Sequence, residues 1–175
     1  MISLKKLIIL LFFVLTIVGC SQQSAPYAYG SLDVEKNYDT LGEIVNDSPL
    51  IVEVSLQNKS EAISFQQNEF TKTQFQVNKV FKGDPKLEKA NVDVLELSML
   101  SITKDKGNGK FILFLKPYEG PIVQNAYVIT GVYQGKFKVS DKGQLVYDAD
   151  KYGGLNKFQS EFVKTPISNL PDKLK

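Results

Sequence analysis

The feature that most restricts the fold of this chain is the apolar run from Phe111 to Leu115, which lies between Gly109 and Pro117. The run is short for a helix of a globular domain, and a glycine and a proline bound it. It fits a strand covered on both faces, because a half-buried strand would place a polar residue at every second position. We therefore expect a central strand with both faces covered.

Four further strands and a hairpin are predicted from β-branched and alternating segments. We expect strands at 50–56, 70–81, 92–97 and 127–133, and a hairpin of 136–139 with 145–147. The longest of them alternates, with Thr71, Thr73, Phe75, Val77 and Phe81 on one face and Lys72, Gln74, Gln76 and Asn78 on the other. In the strand at 92–97 the apolar side chains change face between Val94 and Leu95, which predicts a bulge there.

Short helices are predicted on either side of these strands. Residues Thr40 to Glu43 form a capping-box pattern, so we expect a helix at 40–47 that ends before Pro49. A second helix before Pro166 follows from the helical spacing of Leu155, Phe158, Phe162 and Val163. The polar stretches at 57–68 and 101–110 are predicted to be loops. The expected fold class is mainly β: a small antiparallel barrel with short flanking helices and a C-terminal hairpin, since closure leaves no open edge.

The N-terminal residues have the layout of an export signal. Lys5 and Lys6 precede an apolar stretch at 7–18, and Gly19 and Cys20 follow it. The apolar stretch is too short to span a bilayer comfortably, because spanning takes roughly 18 to 20 apolar residues.

Residues Ile17-Val18-Gly19-Cys20 resemble the lipobox of bacterial lipoproteins. The resemblance implies that a diacylglycerol is attached to the Cys20 thiol and that cleavage before Cys20 makes it the first residue of the mature protein. An uncleaved membrane anchor, or a secretion signal with a chance cysteine, is the alternative. The expected location is the cell membrane, with the lipid-anchored protein facing outside the cytoplasm.

The resulting domain organisation has four parts. We expect a lipoprotein signal peptide at 1–19, the lipidated Cys20 with a flexible tether at 20–36, one β domain at 37–165 and a C-terminal tail at 166–175. The tether has few large apolar residues and cannot fold alone.

Three segments form a further pattern: Asn46-Asp47-Ser48-Pro49 with the strand that follows, 77–84 with its Lys82-Gly83 turn, and 110–115. Together they resemble the OB-fold barrel of the netrin-like module, which tissue inhibitors of metalloproteinases share with bacterial surface proteins. The resemblance covers about residues 39 to 133 and implies an OB-like fold. It does not carry over protease inhibition, because those inhibitors bind a protease zinc through a free N-terminal cysteine, whereas Cys20 is expected to be acylated. The disulfides of that family are also missing.

Composition excludes several kinds of chemistry. The chain has 21 basic residues, no histidine, no tryptophan and one cysteine, and all of its basic residues are lysines. A Cys/His zinc site, a Ser-His-Asp triad and a bidentate arginine clamp are therefore excluded. Removal of Lys5 and Lys6 with the signal leaves basic residues equal in number to the 19 acidic ones. Without net charge, no nucleic-acid partner is expected.

Two groups of acidic residues are candidate sites. Asp141, Asp148 and Asp150 lie close together in the sequence, but they lack EF-hand spacing, and ordinary turn chemistry explains them better than calcium binding. The carboxylates that could act in acid–base catalysis are Glu53, Asp93 and Glu96. Because all three occupy polar strand positions, we expect them to face solvent.

Tyrosines and lysines give two weaker candidates. Tyrosine is enriched in protein interfaces but is equally common in strands. The tyrosines considered are Tyr27, Tyr29, Tyr118, Tyr127, Tyr133, Tyr147 and Tyr152. Lys104, Lys106 and Lys110 flank glycines, but a phosphate-binding loop requires a following helix, and a solvated loop is the better interpretation.

The sequence favours a membrane-anchored surface lipoprotein that acts as a non-enzymatic binding module, with a protein partner at the surface. No metal and no cofactor are expected. The alternative is a small hydrolase or transferase that uses carboxylates and lysine. A deep pocket with a carboxylate–lysine pair would favour this alternative.

Overall fold

A computed structural model describes residues 36–104, 109–148 and 157–174 of the chain. The predicted signal peptide, Cys20 and residues 21–35 lie outside these ranges. The strands are β1 (Leu50–Phe65), β2 (Asn68–Lys82), β3 (Asn91–Leu97), β4 (Lys110–Pro117), β5 (Tyr127–Ile129), β6 (Lys136–Val139) and β7 (Leu145–Val146). The α-helices are α1 (Leu41–Asn46), α2 (Lys157–Phe162) and α3 (Leu170–Lys173), and 3-10 turns occur at Pro85–Leu87, Ser98–Leu100, Ile102–Lys104 and Ile167–Asn169. The predicted mainly-β class with short helices is confirmed.

The strands form one mixed sheet in the order β1-β2-β3-β5-β4-β6-β7, and an additional pairing of β1 with β4 closes the first five strands into a ring. β3 and β5 pair in parallel, while the other pairs are antiparallel. The prediction of a wholly antiparallel arrangement is therefore wrong. The physical reason is the position of β5, which lies between β3 and β4. β3 and β4 run in opposite directions, so a strand that is antiparallel to β4 must be parallel to β3.

β4 is buried on both faces, as predicted, and separates two apolar clusters. We call them the inner and outer clusters. The inner cluster, to which all five strands of the ring contribute, contains Leu50, Val52, Val54, Phe75, Val77, Val92, Val94, Ile102, Phe111, Leu113, Leu115 and Ile129. The outer cluster contains Tyr38, Ile44, Ile51, Leu100, Ile112, Phe114, Tyr133, Phe137, Val139, Leu145, Tyr147, Phe158, Phe162 and Leu170.

Three phenylalanine side chains hold α2 against the outside of the five-strand ring. The ring centroid of Phe162 lies 6.2 Å from that of Phe114 and 5.3 Å from that of Phe137. Phe158 is also buried in the outer cluster, so the helix packs on the outside through the apolar side chains whose spacing predicted it. Leu155 lies outside the described residues. Part of the stretch expected as a tail is helical. This helix, α3, places Leu170 in the outer cluster.

The capping box predicted for the first helix is present. The Thr40 hydroxyl accepts a hydrogen bond from the Glu43 amide (3.3 Å), and the Glu43 carboxylate accepts one from the Thr40 amide (3.2 Å). The bond from the Thr40 amide is the main cause of the lowered pKa of Glu43. The capped helix buries Ile44 in the outer cluster.

The predicted loop at 57–68 is wrong. β1 continues to Phe65, pairs again with β2 from Ser60 to Phe65, and is followed by a turn at Gln66 and Gln67. The side chains of this extension are mostly exposed, so its sequence has no alternation of apolar and polar residues that would predict a strand. Cross-strand pairing stabilises it instead, including an ion pair of 2.7 Å between Glu61 and Lys72 that raises the pKa of Lys72.

The predicted bulge between Val94 and Leu95 is also wrong. The β2–β3 register runs without a shift, and both residues are buried because β3 is covered on both faces there. The irregularities lie between β1 and β2 instead, where the register shifts at three places, one of them at Asn78. This shift turns Phe81 to the outer cluster, so it does not share a face with Phe75, which is in the inner cluster.

The predicted strand at 127–133 is too long, because β5 ends at Ile129. The chain then turns, with Gly131 at a φ of 67° and Val132 at a φ of 61°. Two turn hydrogen bonds hold this geometry, from the Val132 amide to the Ile129 carbonyl and from the Gln134 amide to the Gly131 carbonyl. The predicted hairpin that follows is confirmed as β6 and β7.

Adjacent residues of β2 provide a test of the half-buried assignment. Phe75 is fully buried and Gln76 is exposed. We expect Phe75→Ala to lower the free energy of unfolding by about 3 to 5 kcal/mol through lost burial and a cavity. Gln76→Ala should change it by less than about 0.5 kcal/mol. Urea denaturation measures both, and similar losses for the two variants would contradict the described burial.

Candidate functional site

The candidate site is a groove of about 830 Å³ on the outer side of the ring, over β3 and β5. Its floor is apolar and includes Leu95, Leu97 and Val128. One wall is the end of β4 and the residues after it, from Lys116 to Gly120. A second part of the wall includes Lys36, Tyr38 and Asp47, and Lys116 lies near enough to Asp47 to lower its pKa. Charged side chains thus occur around the groove, and its apolar lining includes aliphatic side chains.

Residues 36–39, which we call the strap, are fixed by a side-chain amide. The Tyr38 amide donates to Gln134 Oε1 (2.9 Å), and Gln134 Nε2 donates to the Tyr38 carbonyl (3.0 Å). Gln134 is fully buried, and its amide pairs with Tyr38 as a neighbouring peptide group would in a sheet. The strap is therefore attached to the turn after β5 although it belongs to no strand.

A second attachment of the strap is ionic and lies nearer the solvent. Asp47 Oδ2 accepts from Lys36 Nζ at 2.7 Å and from the Tyr38 hydroxyl at 3.0 Å. The hydrogen bond from Lys36, followed by that from Tyr38, holds the pKa of Asp47 below its ordinary value. Lys36 Nζ also lies 4.8 Å from the centre of the Tyr38 ring, within cation–π range.

Glu96, at the inner end of the groove, forms a buried ion pair with Lys136. Glu96 Oε1 lies 3.0 Å from Lys136 Nζ, and the two side chains are 3% and 2% exposed. Lys136 Nζ also donates to the Leu100 carbonyl (2.6 Å), and Glu96 Oε2 accepts from the Ile102 amide (3.1 Å). The expectation that Glu96 faces solvent is wrong, because the connection at 98–102 covers the end of β3.

This pair joins three parts of the fold. Glu96 belongs to β3, Lys136 begins β6, and the bonds to Leu100 and Ile102 hold the connection between β3 and β4. Both carboxylate oxygens of Glu96 accept hydrogen bonds from the protein itself. Chemically, the arrangement is suited to holding a connection in place rather than to transferring a proton.

The other predicted carboxylate sites are not assembled. Glu53 and Asp93 are half-buried, and Asp93 and Glu96 lie on opposite faces of β3 because they are three residues apart. Asp141 and Asp148 are exposed, and Asp150 lies outside the described ranges. Within those ranges, no three acidic or cysteine side chains come close enough together to hold a metal ion.

The predicted tyrosines and loop lysines are dispersed. Tyr118 lines the groove and Tyr127 is half-buried. Tyr133 and Tyr147 are core residues, and burial raises the pKa of Tyr147. The exposed Lys110 begins β4. The remaining predicted residues lie outside what the structure describes: Tyr27, Tyr29, Tyr152, Lys106 and the side chain of Lys104.

Sequence reasoning missed Tyr38, Gln134 and Lys136. Tyr38 lies in a polar stretch before α1, with no periodic pattern around it. Gln134 follows an apolar segment, and Lys136 occupies a polar position of a predicted hairpin, so both had the pattern of solvent-facing residues. Their partners are distant in sequence, and only the three-dimensional fold brings them together.

No protein-family model matches the chain, and no curated protein matches it at a significant level of similarity. In the part of the chain that the structure describes, no helix is long and apolar enough to cross a membrane.

A double-mutant cycle tests the structural role of the buried pair. Lys136→Met should lower the free energy of unfolding by about 3 to 5 kcal/mol, since it leaves the Glu96 carboxylate buried without a counter-ion. Glu96→Gln should also destabilise, through the unpaired Lys136. The double variant contains no uncompensated charge, so its loss should be clearly smaller than the sum of the two. Additive losses in urea denaturation would show that the pair does not act as a unit.

Proposed function

We propose that this chain is a surface lipoprotein, anchored through lipid on Cys20 and facing outside the cytoplasm, whose OB-like barrel binds a protein partner without catalysis. The observation that carries the binding role is the apolar groove beside β3 and β5. The anchor rests on Ile17-Val18-Gly19-Cys20, which follows a basic start and an apolar stretch. Two or more acyl chains at Cys20 would hold the protein durably, since each buried CH₂ contributes about 0.8 kcal/mol.

The five-strand ring supports an OB-like assignment and, with it, the netrin-like resemblance. An OB fold is a five-stranded, partly open barrel that binds ligands over its second and third strands and the loops between strands one and two and between four and five. Here Phe70 of β2, Leu95 and Leu97 of β3, and residues after β4 line the groove. This overlap with part of the ligand-binding face of OB folds supports the binding role.

The chemistry of the groove favours a protein partner. Its floor is formed by aliphatic side chains such as Leu97 and Val128, which suit the apolar side chains of a polypeptide. Binding of single-stranded nucleic acid relies on a basic groove with stacking aromatics. Here Lys36 is paired with Asp47, and the mature chain carries no net charge and no arginine.

A small carboxylate- and lysine-dependent enzyme is the alternative that one observation favours. Glu96 and Lys136 form a carboxylate–lysine pair, and Glu96 lines the groove. Against this role, both side chains are almost completely enclosed, and their hydrogen bonds hold Leu100 and Ile102. A general base needs access to the proton that it removes. We therefore assign the pair to structure and the groove to binding.

Substitution of the anchoring residue tests the lipoprotein assignment. Cys20→Ser removes the thiol that would carry the lipid, so we expect loss of radiolabelled palmitate and accumulation of the uncleaved precursor. Ser21→Ala is the matched control, and it should retain both labelling and cleavage. A Cys20→Ser protein that is still labelled, or still cleaved before residue 20, would overturn the assignment.

Site-specific photo-crosslinking tests the binding role of the groove. A photoreactive phenylalanine at Val128, on the groove floor, should form a discrete covalent adduct with another protein in intact cells. The same group at Gln76, which is exposed on β2 and does not line the groove, should not form that adduct. Equal adducts from both positions, or none from Val128, would argue against a protein partner at this site.

A further inference from the structure

The strap packs closely against the turn after β5. Gly131 has a φ of 67°, and a Cβ placed there would lie 2.9 Å from Gln134 Oε1 and 3.0 Å from Tyr38 Cδ2. A side chain at 131 would therefore displace both partners of the Tyr38–Gln134 attachment. The turn after β5 accommodates the strap through this glycine, which also lines the groove.

The two attachments of the strap differ in their exposure to solvent. The Lys36–Asp47 ion pair is open to water, with the side chains 50% and 41% exposed, so screening weakens it. The Tyr38–Gln134 bonds are buried, and Gln134 is fully enclosed. Opening would therefore begin at Lys36, and Gln134 would release Tyr38 last.

The strap lies between the groove and the outer cluster. Tyr38 lines the groove and packs in the outer cluster, while Lys36 and Asp47 line the same wall. Displacement of the strap would remove Lys36 and Tyr38 from this wall and uncover the part of the outer cluster against which Tyr38 packs. The bonds from Gln134 to Tyr38 thus hold a residue that both lines the groove and belongs to the outer cluster.

We propose that the strap is a releasable wall that controls access to the groove, with the Tyr38–Gln134 pair as its inner latch and Asp47 as its outer latch. This inference rests on the proposed binding function and adds a means of regulating it. The strap begins at Lys36, the last residue of the predicted tether to Cys20, so a pull on the membrane anchor acts first on Lys36 and then on Tyr38. Release widens the groove, and a partner that needs the wider groove binds more tightly to protein under tension.

Hydrogen exchange and dye binding on the mature chain with Cys20→Ser test the latch without the membrane or the natural partner. Gln134→Leu replaces the amide with an apolar side chain of similar size and removes both bonds to Tyr38. We expect the Tyr38 amide to exchange about tenfold faster or more, since its acceptor is lost, while amides of β1 and β4 keep their protection. Binding of ANS, a dye that reports exposed apolar surface, should increase in the same variant.

Three further variants keep the result interpretable. Asp47→Asn weakens only the outer latch and should speed exchange near Lys36 more than at Tyr38, and Gly131→Ala should reproduce the effect of Gln134→Leu if that variant folds poorly. Adding Val128→Glu places a charge on the groove floor and should abolish the increase in ANS binding, which shows that the dye occupies the groove.

Two results would overturn the proposal. The first is unchanged exchange at Tyr38 in both Gln134→Leu and Gly131→Ala, which would show that the latch does not hold the strap. The second is faster exchange without a change in ANS binding, which would show that the strap does not control the groove. Because no partner or lipid is present, either failure is separate from a failure of the lipidation and crosslinking experiments.

Discussion

The structure depends on β4, which is enclosed on both faces and both edges. One edge pairs with β1 along Leu50–Ser55, and the other pairs first with β6 and then with β5. Phe111, Leu113 and Leu115 face the inner cluster, whereas Ile112 and Phe114 face the outer one. The ring and the helix-covered outer layer therefore share β4, and removal of either one would expose one face of β4.

The buried Glu96–Lys136 pair solves a problem that this arrangement creates. β3 and β4 are consecutive in the chain but are not paired, so the connection at 98–104 must cross the end of the ring. Its backbone groups have no sheet partners there, and an unsatisfied buried group is costly. Lys136 bonds the Leu100 carbonyl and Glu96 bonds the Ile102 amide, so the ion pair satisfies the connection while each charge neutralises the other.

Sequence reasoning succeeded where burial of a face determined the pattern of apolar residues. It failed where strand pairing or contacts between distant residues determined the structure. The run at Phe111–Leu115 and the helical spacing of Phe158 and Phe162 each reflect an apolar face, and both predictions are confirmed. The extension of β1 to Phe65 carries no such signal, because its side chains are mostly exposed and its stability comes from β2. The parallel β3–β5 pair is a consequence of ring closure and is not encoded locally.

The candidate site was the least predictable part, since its components come from elements that are distant in sequence. Gln134 lies 96 residues from Tyr38, and its burial turns an ordinary polar side chain into the partner of a backbone segment. The ionic latch at Asp47, by contrast, is local but exposed. A strap held by one weak and one strong attachment can open in steps, whereas two buried attachments would fix the groove at one width. The difference in burial between Asp47 and Gln134 is therefore what allows a single segment both to complete the wall of the groove and to yield to a pull from the N-terminal side.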